Sequence, residues 1–148
     1  MTDLKMKGRY FVTLYGPDGA EKDRRQGENV VTTVGKEFMA SFLNSAVAAA
    51  STFTAKYVAI GTNATAENVS DTALGTEVSR STGTASYISG QILQLRATFG
   101  AGSGTGAITE YGVFTSNSAG TLISRDTESA INKSASDTLT VVWQLTVS

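Results

Sequence analysis

Residues 92–125 read ILQLRATFGAGSGTGAITEYGVFTSNSAGTLISR. Up to Phe99 the run alternates, with Leu93, Leu95, Ala97 and Phe99 on one parity, as a half-buried strand requires. The glycine-rich segment Gly100–Gly106 interrupts it. Residues 108–114, ITEYGVF, then carry large side chains on both parities and read as a central strand. Asn117 to Gly120 supply turn chemistry, and TLISR reads as a third strand. The stretch therefore predicts a local meander of antiparallel strands. It also poses the first functional question, whether the glycine loop cradles a ligand.

Upstream, Thr84 to Phe99 is long for one strand, and its apolar parity changes between Ile88 and Leu93. A bulge or bend near Gly90 would produce that change. Glu77-Val-Ser-Arg80 reads as a strand or extended arm, and Lys56 to Ile60 as a buried strand. Between them Thr62 to Leu74 is polar and aperiodic, and an ordered loop of that length usually has a task. At the start of the chain Tyr10, Val12 and Leu14 alternate with Phe11, Thr13 and Tyr15. Gly16-Pro-Asp-Gly19 is a turn, and Glu21 to Arg25 reads as a charged edge strand or loop. Asn29 to Thr33 is a short strand. An amphipathic helix follows over about 34–49, its stripe formed by Phe38, Met39, Phe42, Leu43, Ala46 and Val47 and its start capped by Thr32 or Thr33. Phe42→Asp would place a charge on that stripe. The last strand is the clearest: Leu139, Val141, Trp143, Leu145 and Val147 alternate with smaller or polar residues.

About eight to ten short strands with one helix and no βαβ alternation define the expected class: all-β, an antiparallel β-sandwich, jelly-roll-like. The expected organisation is one domain over 1–148, with residues 1–7 as an extended N-terminal arm.

Composition narrows the chemistry. Histidine and cysteine are absent, so neither a Ser-His-Asp nor a Cys-His site can be built from this chain alone. The formal charge of -1 gives no global field toward nucleic acid or an anionic membrane. The N-terminus lacks the apolar core of a signal peptide, and no apolar run approaches a bilayer's width. Synthesis in the cytoplasm is the expectation. The glycine loop fails both phosphate motifs: Gly106 is followed by Ala107-Ile108 rather than Lys-Ser/Thr, and the third dinucleotide glycine is missing in every register. The loop thus reads as a flexible connection between strands. The acids are scattered. Glu110, alone within an apolar strand, calls for a partner such as Arg96 or Arg125, which makes a structural pair or an interface contact the expected role. No calcium-loop pattern is present. Lys5, Lys7 and Arg9 beside Tyr10 and Phe11 form a small basic cluster.

Three segments carry a resemblance. They are Tyr57-Val-Ala-Ile-Gly-Thr-Asn-Ala-Thr-Ala66 with Asp71-Thr-Ala-Leu-Gly75, Glu77, Val78 and Arg80; the glycine loop with Ile108-Thr-Glu-Tyr-Gly-Val-Phe114; and Ala130-Ile-Asn-Lys133 with Asp137-Thr-Leu-Thr-Val-Val-Trp143. Together with Asn29–Gly35 and the helix, the pattern resembles a family of small structural proteins of tailed bacteriophages. The resemblance implies a non-enzymatic, homo-oligomeric virion protein without cofactor or metal. Its implied place is the capsid surface, as a decoration or cement protein bound to the major capsid protein, with no nucleic-acid or membrane partner. A tail, baseplate or fibre component that contacts the host is the alternative. A carbohydrate-binding β-sandwich, using Tyr57, Tyr87, Tyr111 or Trp143 for stacking, is the alternative of another class. The polar N-terminal segment and loop supply the expected interface residues: Lys5, Lys7, Arg9, Thr62, Asn63, Glu67, Asn68, Asp71, Glu77 and Arg80.

Overall fold

The structure, a computed structural model, describes residues 5–46 and 56–148, without the side chains of residues 42–46. Nine strands and one helix follow in the order β1 Met6–Tyr15, β2 Glu21–Val31, α1 Thr33–Ala46, β3 Tyr57–Gly61, β4 Glu77–Thr82, β5 Thr84–Ser89, β6 Ile92–Phe99, β7 Gly106–Phe114, β8 Leu122–Lys133 and β9 Thr138–Val147. Neighbouring strands pair antiparallel in one curled sheet of order β4-β3-β7-β8-β2-β1-β9-β6-β5. The all-β antiparallel class with its helix is therefore the observed one. The strand order is continuous: where a jelly-roll-like sandwich of two sheets was expected, the nine strands form two limbs of one curled sheet.

Cross-strand rows show why the sheet curls. In one limb Leu95, Trp143 and Tyr10 lie side by side, then Ala97, Val141 and Val12, then Phe99, Leu139 and Leu14. In the other, Val58 aligns with Val113 and Ser124, and Ile60 with Tyr111 and Asp126. Each set turns its large apolar side chains to one face, the second with Ser124 and Asp126 among them, and the limbs close on each other to hide both. Tyr10 and Tyr111 meet across the interior with ring centroids 6.0 Å apart, and the Tyr10 hydroxyl lies 2.9 Å from Ser124 Oγ. Burying each such large side chain stabilises the fold by about 1.5–3 kcal/mol.

The ends of the strand order, β4 and β5, are consecutive in the chain and separated only by Gly83. They form one ribbon that leaves the second limb, where β4 pairs with β3, and joins the first, where β5 pairs with β6. Gly83 is where it passes over Leu95: a Cβ there would sit 2.6 Å from Leu95 Cδ1. Ser81 Oγ, on β4, reaches the Thr98 carbonyl of β6 at 3.4 Å. Helix α1 packs on β8. Thr32 Oγ1 accepts from Gly35 N at 3.0 Å, so Thr32 is its cap, and Phe38 and Met39 pack on the core. A Cβ on Gly35 would lie 2.5 Å from the Ile123 carbonyl oxygen, which allows that closeness only to glycine.

Several sequence expectations are corrected. Thr84–Phe99 is a hairpin, two strands turning at Gly90-Gln91, so the parity change is a full reversal of the chain. Strand β6 pairs with β5 and β9, never with β7, so residues 92–125 are not a meander. Periodicity tells which residues form strands but not which strand pairs with which. Gly100–Gly106 instead carries the chain from one limb to the other. It is a fitted segment: Gly102 and Gly104 have φ of 78° and 66°, Gly102 N donates to Ala135 O, and Lys133 Nζ donates to Gly100 O. Glu21–Arg25 and Asn29–Val31 belong to one strand, β2. Of the expected arm 1–7, Met6 and Lys7 belong to β1, and Lys5 exchanges both backbone hydrogen bonds with Ser148; residues 1–4 lie outside the described residues. The helix starts at Thr33. Its expected last turn at 47–49 and the contacts of Phe42, Leu43 and Ala46 lie outside the described residues.

Candidate functional site

The outer face of β3, β7 and β8 carries the most elaborate polar arrangement among the described residues. Alternation puts Tyr111 and Val113 inward, so Glu110, Gly112 and Phe114 face out, beside Ala59 of β3 and Arg125 of β8. The segment between β3 and β4 folds over this face. Leu74 supplies its apolar anchor and packs with Ala59, Phe114 and Leu122. Gly112 makes the seat, since a Cβ there would lie 2.8 Å from Leu74 Cδ2.

Glu110 is fully buried beneath that segment. Its Oε1 accepts from the backbone N–H of Thr76 at 2.7 Å and of Asn63 at 3.3 Å, and its Oε2 from that of Gly75 at 2.8 Å. Arg125 completes the shell, donating from Nε at 3.1 Å and Nη2 at 2.9 Å to the same Oε2. The guanidinium also donates to Asp71 Oδ2 at 3.0 Å and Thr65 O at 2.9 Å. Asp71 in turn accepts from Asn68 N at 2.8 Å, and Val69 O accepts from Thr33 N at the head of α1. A buried charge is tolerable only when paired and hydrogen-bonded, and both conditions hold here. The chemical effect is mechanical: one carboxylate and one guanidinium fix both ends and the middle of a polar loop.

The expected interface residues divide into two groups. Asn63 is bound to Glu110 through its backbone, Asp71 to Arg125, and Glu67 accepts from Thr127 Oγ1. Asn68 closes a turn with Ser70, and Thr62 N donates to Thr76 O. Glu77 and Arg80 pair with each other on β4, at 2.7 and 2.8 Å. Arg80 also stacks 3.7 Å over Phe114 and donates to the Ser116 and Ala119 carbonyls. Lys5, Lys7 and Arg9 are exposed along β1 and its approach, on a different strand pair, and Arg9 lies over Phe11. Glu110's expected partner is resolved as Arg125 rather than Arg96. Sequence reasoning did not single out Leu74, Gly75 and Thr76 as parts of this site. The signal that would find them is Glu110 itself, because a carboxylate inside an apolar strand demands N–H donors from whatever covers it.

A second polar region lies inside the curl, where β8 meets β2. These strands pair in register only at Val30–Arg125 and Val31–Ser124. Beyond that point Asp126 and Glu128 lean over Gly27, where a Cβ would lie 1.9 Å from Glu128 Oε1. Arg25 bridges to the Ser129 and Ala130 carbonyls. Burial pushes the Asp126 carboxyl up to about 7, aided by repulsion from Glu128 and Glu67. The Glu128 carboxyl moves upward for the same two reasons, burial and Glu67. Asp126 Oδ2 and the Tyr111 hydroxyl are buried and find no hydrogen-bond partner among the described residues. Among the described residues no cluster of three or more acids is arranged to hold a metal ion, and no helix is long and apolar enough to cross a membrane.

Comparison with protein-family models, with curated proteins and with solved structures finds no match to this chain.

Proposed function

We propose that the protein is a non-enzymatic structural subunit of a tailed-bacteriophage particle, a decoration or cement protein that binds the outside of the capsid shell. The observation that carries this reading is the clamped loop. A buried ion pair and three backbone N–H groups hold a surface segment whose own outer residues, Ala64, Thr65, Asn68, Val69, Ser70 and Thr72 among them, face solvent. A fold invests this much buried polar structure in a loop when the loop's shape matters to a partner. The residues of the family resemblance support it as well. Gly61, Asn63, Asp71, Leu74, Gly75 and Glu110 belong to the quoted segments, and all build the clamp. The shell's subunits would meet Val69, half exposed at the loop's tip, and the polar rim around it. Many symmetric copies would multiply a modest contact.

Locating the subunit in particles by cryo-electron microscopy tests this. Hundreds of copies on the shell are expected. A handful at the tail would move the protein to the tail or fibre class, and absence from particles would overturn both. The carbohydrate-binding reading is weakened by burial: Tyr111 and Trp143 are fully inside, leaving only Tyr87 and the partly covered Tyr57 to stack on a sugar.

A further inference from the structure

The sheet has two edge strands, and they are not alike. Along β4, Glu77 and Arg80 form an ion pair and Ser81 reaches β6. Charges of this kind protect an edge against strand addition. Strand β5 has no such guard. All six of its residues are exposed, and among the described residues β6 is its sole strand partner, so the backbone N–H and C=O groups of its other side are paired by no described strand. No Asp, Glu, Lys or Arg occurs from Ser81 to Leu95. Tyr87 is 72% and Ile88 50% exposed, the two most prominent apolar side chains on any edge. Tyr87 also continues a cross-strand row: it pairs with Leu93, which pairs with Leu145, and Leu93 packs against the core.

We propose that β5 is a self-association edge, pairing antiparallel with β5 of a second copy about a two-fold axis. The occupant follows from what the edge can recognise. It has no charge to attract a charged strand, and it offers open backbone groups with Thr84, Tyr87 and Ile88, residues that favour β-pairing. A partner must be an uncharged strand with an open edge and apolar side chains to cover Tyr87 and Ile88. The same strand in another copy meets each condition, and a two-fold axis brings like edges together without like charges. The dimer would run one sheet through two molecules and cover Tyr87 and Ile88 of both. This surface is separate from the clamped loop, so either reading can fail while the other stands.

The chain has no cysteine, so a single cysteine placed at each position from Thr84 to Ser89 reports its own neighbour. Sedimentation of the unmodified protein should show a dimer. Under mild oxidation the disulfide-linked fraction should peak at one central position of β5 and fall away on both sides, while a control at exposed Thr72→Cys gives none. Tyr87→Lys combined with Ile88→Lys should leave the far-ultraviolet dichroism of the folded chain unchanged, because both side chains are exposed, and should shift the protein to monomer. Three results would each overturn the proposal. One is a monomer at all concentrations, as expected if β5 receives a strand of another protein. Another is a trimer or higher ring. The third is a dimer that survives both lysines.

Discussion

Glu110 shows how one side chain can set the shape of a surface segment far from it in sequence. Replacing it with alanine would leave Arg125 buried with only Asp71 as a counter-charge, and would strip three N–H groups of their acceptor. Breaking a buried pair in this way costs about 3–5 kcal/mol. Urea unfolding of Glu110→Ala should show that loss, with faster proteolysis in 62–76. A variant as stable as the parent would mean that the clamp contributes nothing. Asp126 makes a different prediction. Its folded carboxyl titrates near 7 and its unfolded carboxyl near the usual 3.8, so the folded state holds the proton more tightly. The associated stability is complete below pH 4 and is lost as pH rises through 7. Asp126→Asn should be more stable than the parent at pH 8, and its stability should vary less between pH 5 and 8. An unchanged slope would count against the polar corner. Asp137 acts at the other extreme: the hydrogen bonds from Lys22 hold it down to about 2, so its contribution is present above pH 4 and fades as pH falls through 2. The Glu110 pairing was legible in the sequence because an acid in an apolar strand has few escapes. The Asp126 environment was not, because it arises where β2 and β8 part, and strand divergence leaves no local pattern.

At the scale of elements, the ribbon β4–β5 depends on Gly83. Valine there would drive its side chain into Leu95 and the Arg96 carbonyl, 2.6 and 3.2 Å from the Cβ alone. The fold must shift or the ribbon lift, at a cost of about 1–3 kcal/mol for overpacking. Thermal unfolding of Gly83→Val should fall by several degrees, whereas Gly90→Val, where a Cβ meets nothing within 4 Å, should change little. Equal effects would show that Gly83 is not a contact point. Most elements were readable from local pattern. Strand β9 was evident in its alternation, α1 in its stripe and Thr32 cap, and β7 in its two-sided bulk. The β5–β6 turn was misread as a bend because Gly90-Gln91 carries little turn chemistry, and the reversal rests on pairing that one strand cannot announce.

At the scale of the molecule, the topology is what sequence pattern could not supply. Strand β9, last in the chain, lies between β1 and β6, and the first and last strands share ten paired positions. Both limbs contribute to a single large core cluster, and Trp143 sits in it. The expected consequence is all-or-none unfolding, with Trp143 fluorescence and far-ultraviolet dichroism following one transition. Two separated midpoints would show that the limbs are independent units. Deleting 138–148 should abolish folding altogether, since it removes a central strand and four members of the core cluster: Leu139, Val141, Trp143 and Leu145. Pairings like these are set by side chains far apart in sequence that recognise each other only after collapse.

The exchange of hydrogen bonds between Lys5 and Ser148 has a mechanical meaning. Tension applied across those two residues pulls the β1–β9 ladder apart from one end, breaking its bonds one pair at a time. Tension between Ser148 and Gly100 instead drags β9 lengthwise along β6, loading a whole row of bonds at once. The protein should therefore open at low force in the first direction and resist in the second. A subunit tethered through both ends would be soft, and one gripped through its glycine segment would be stiff.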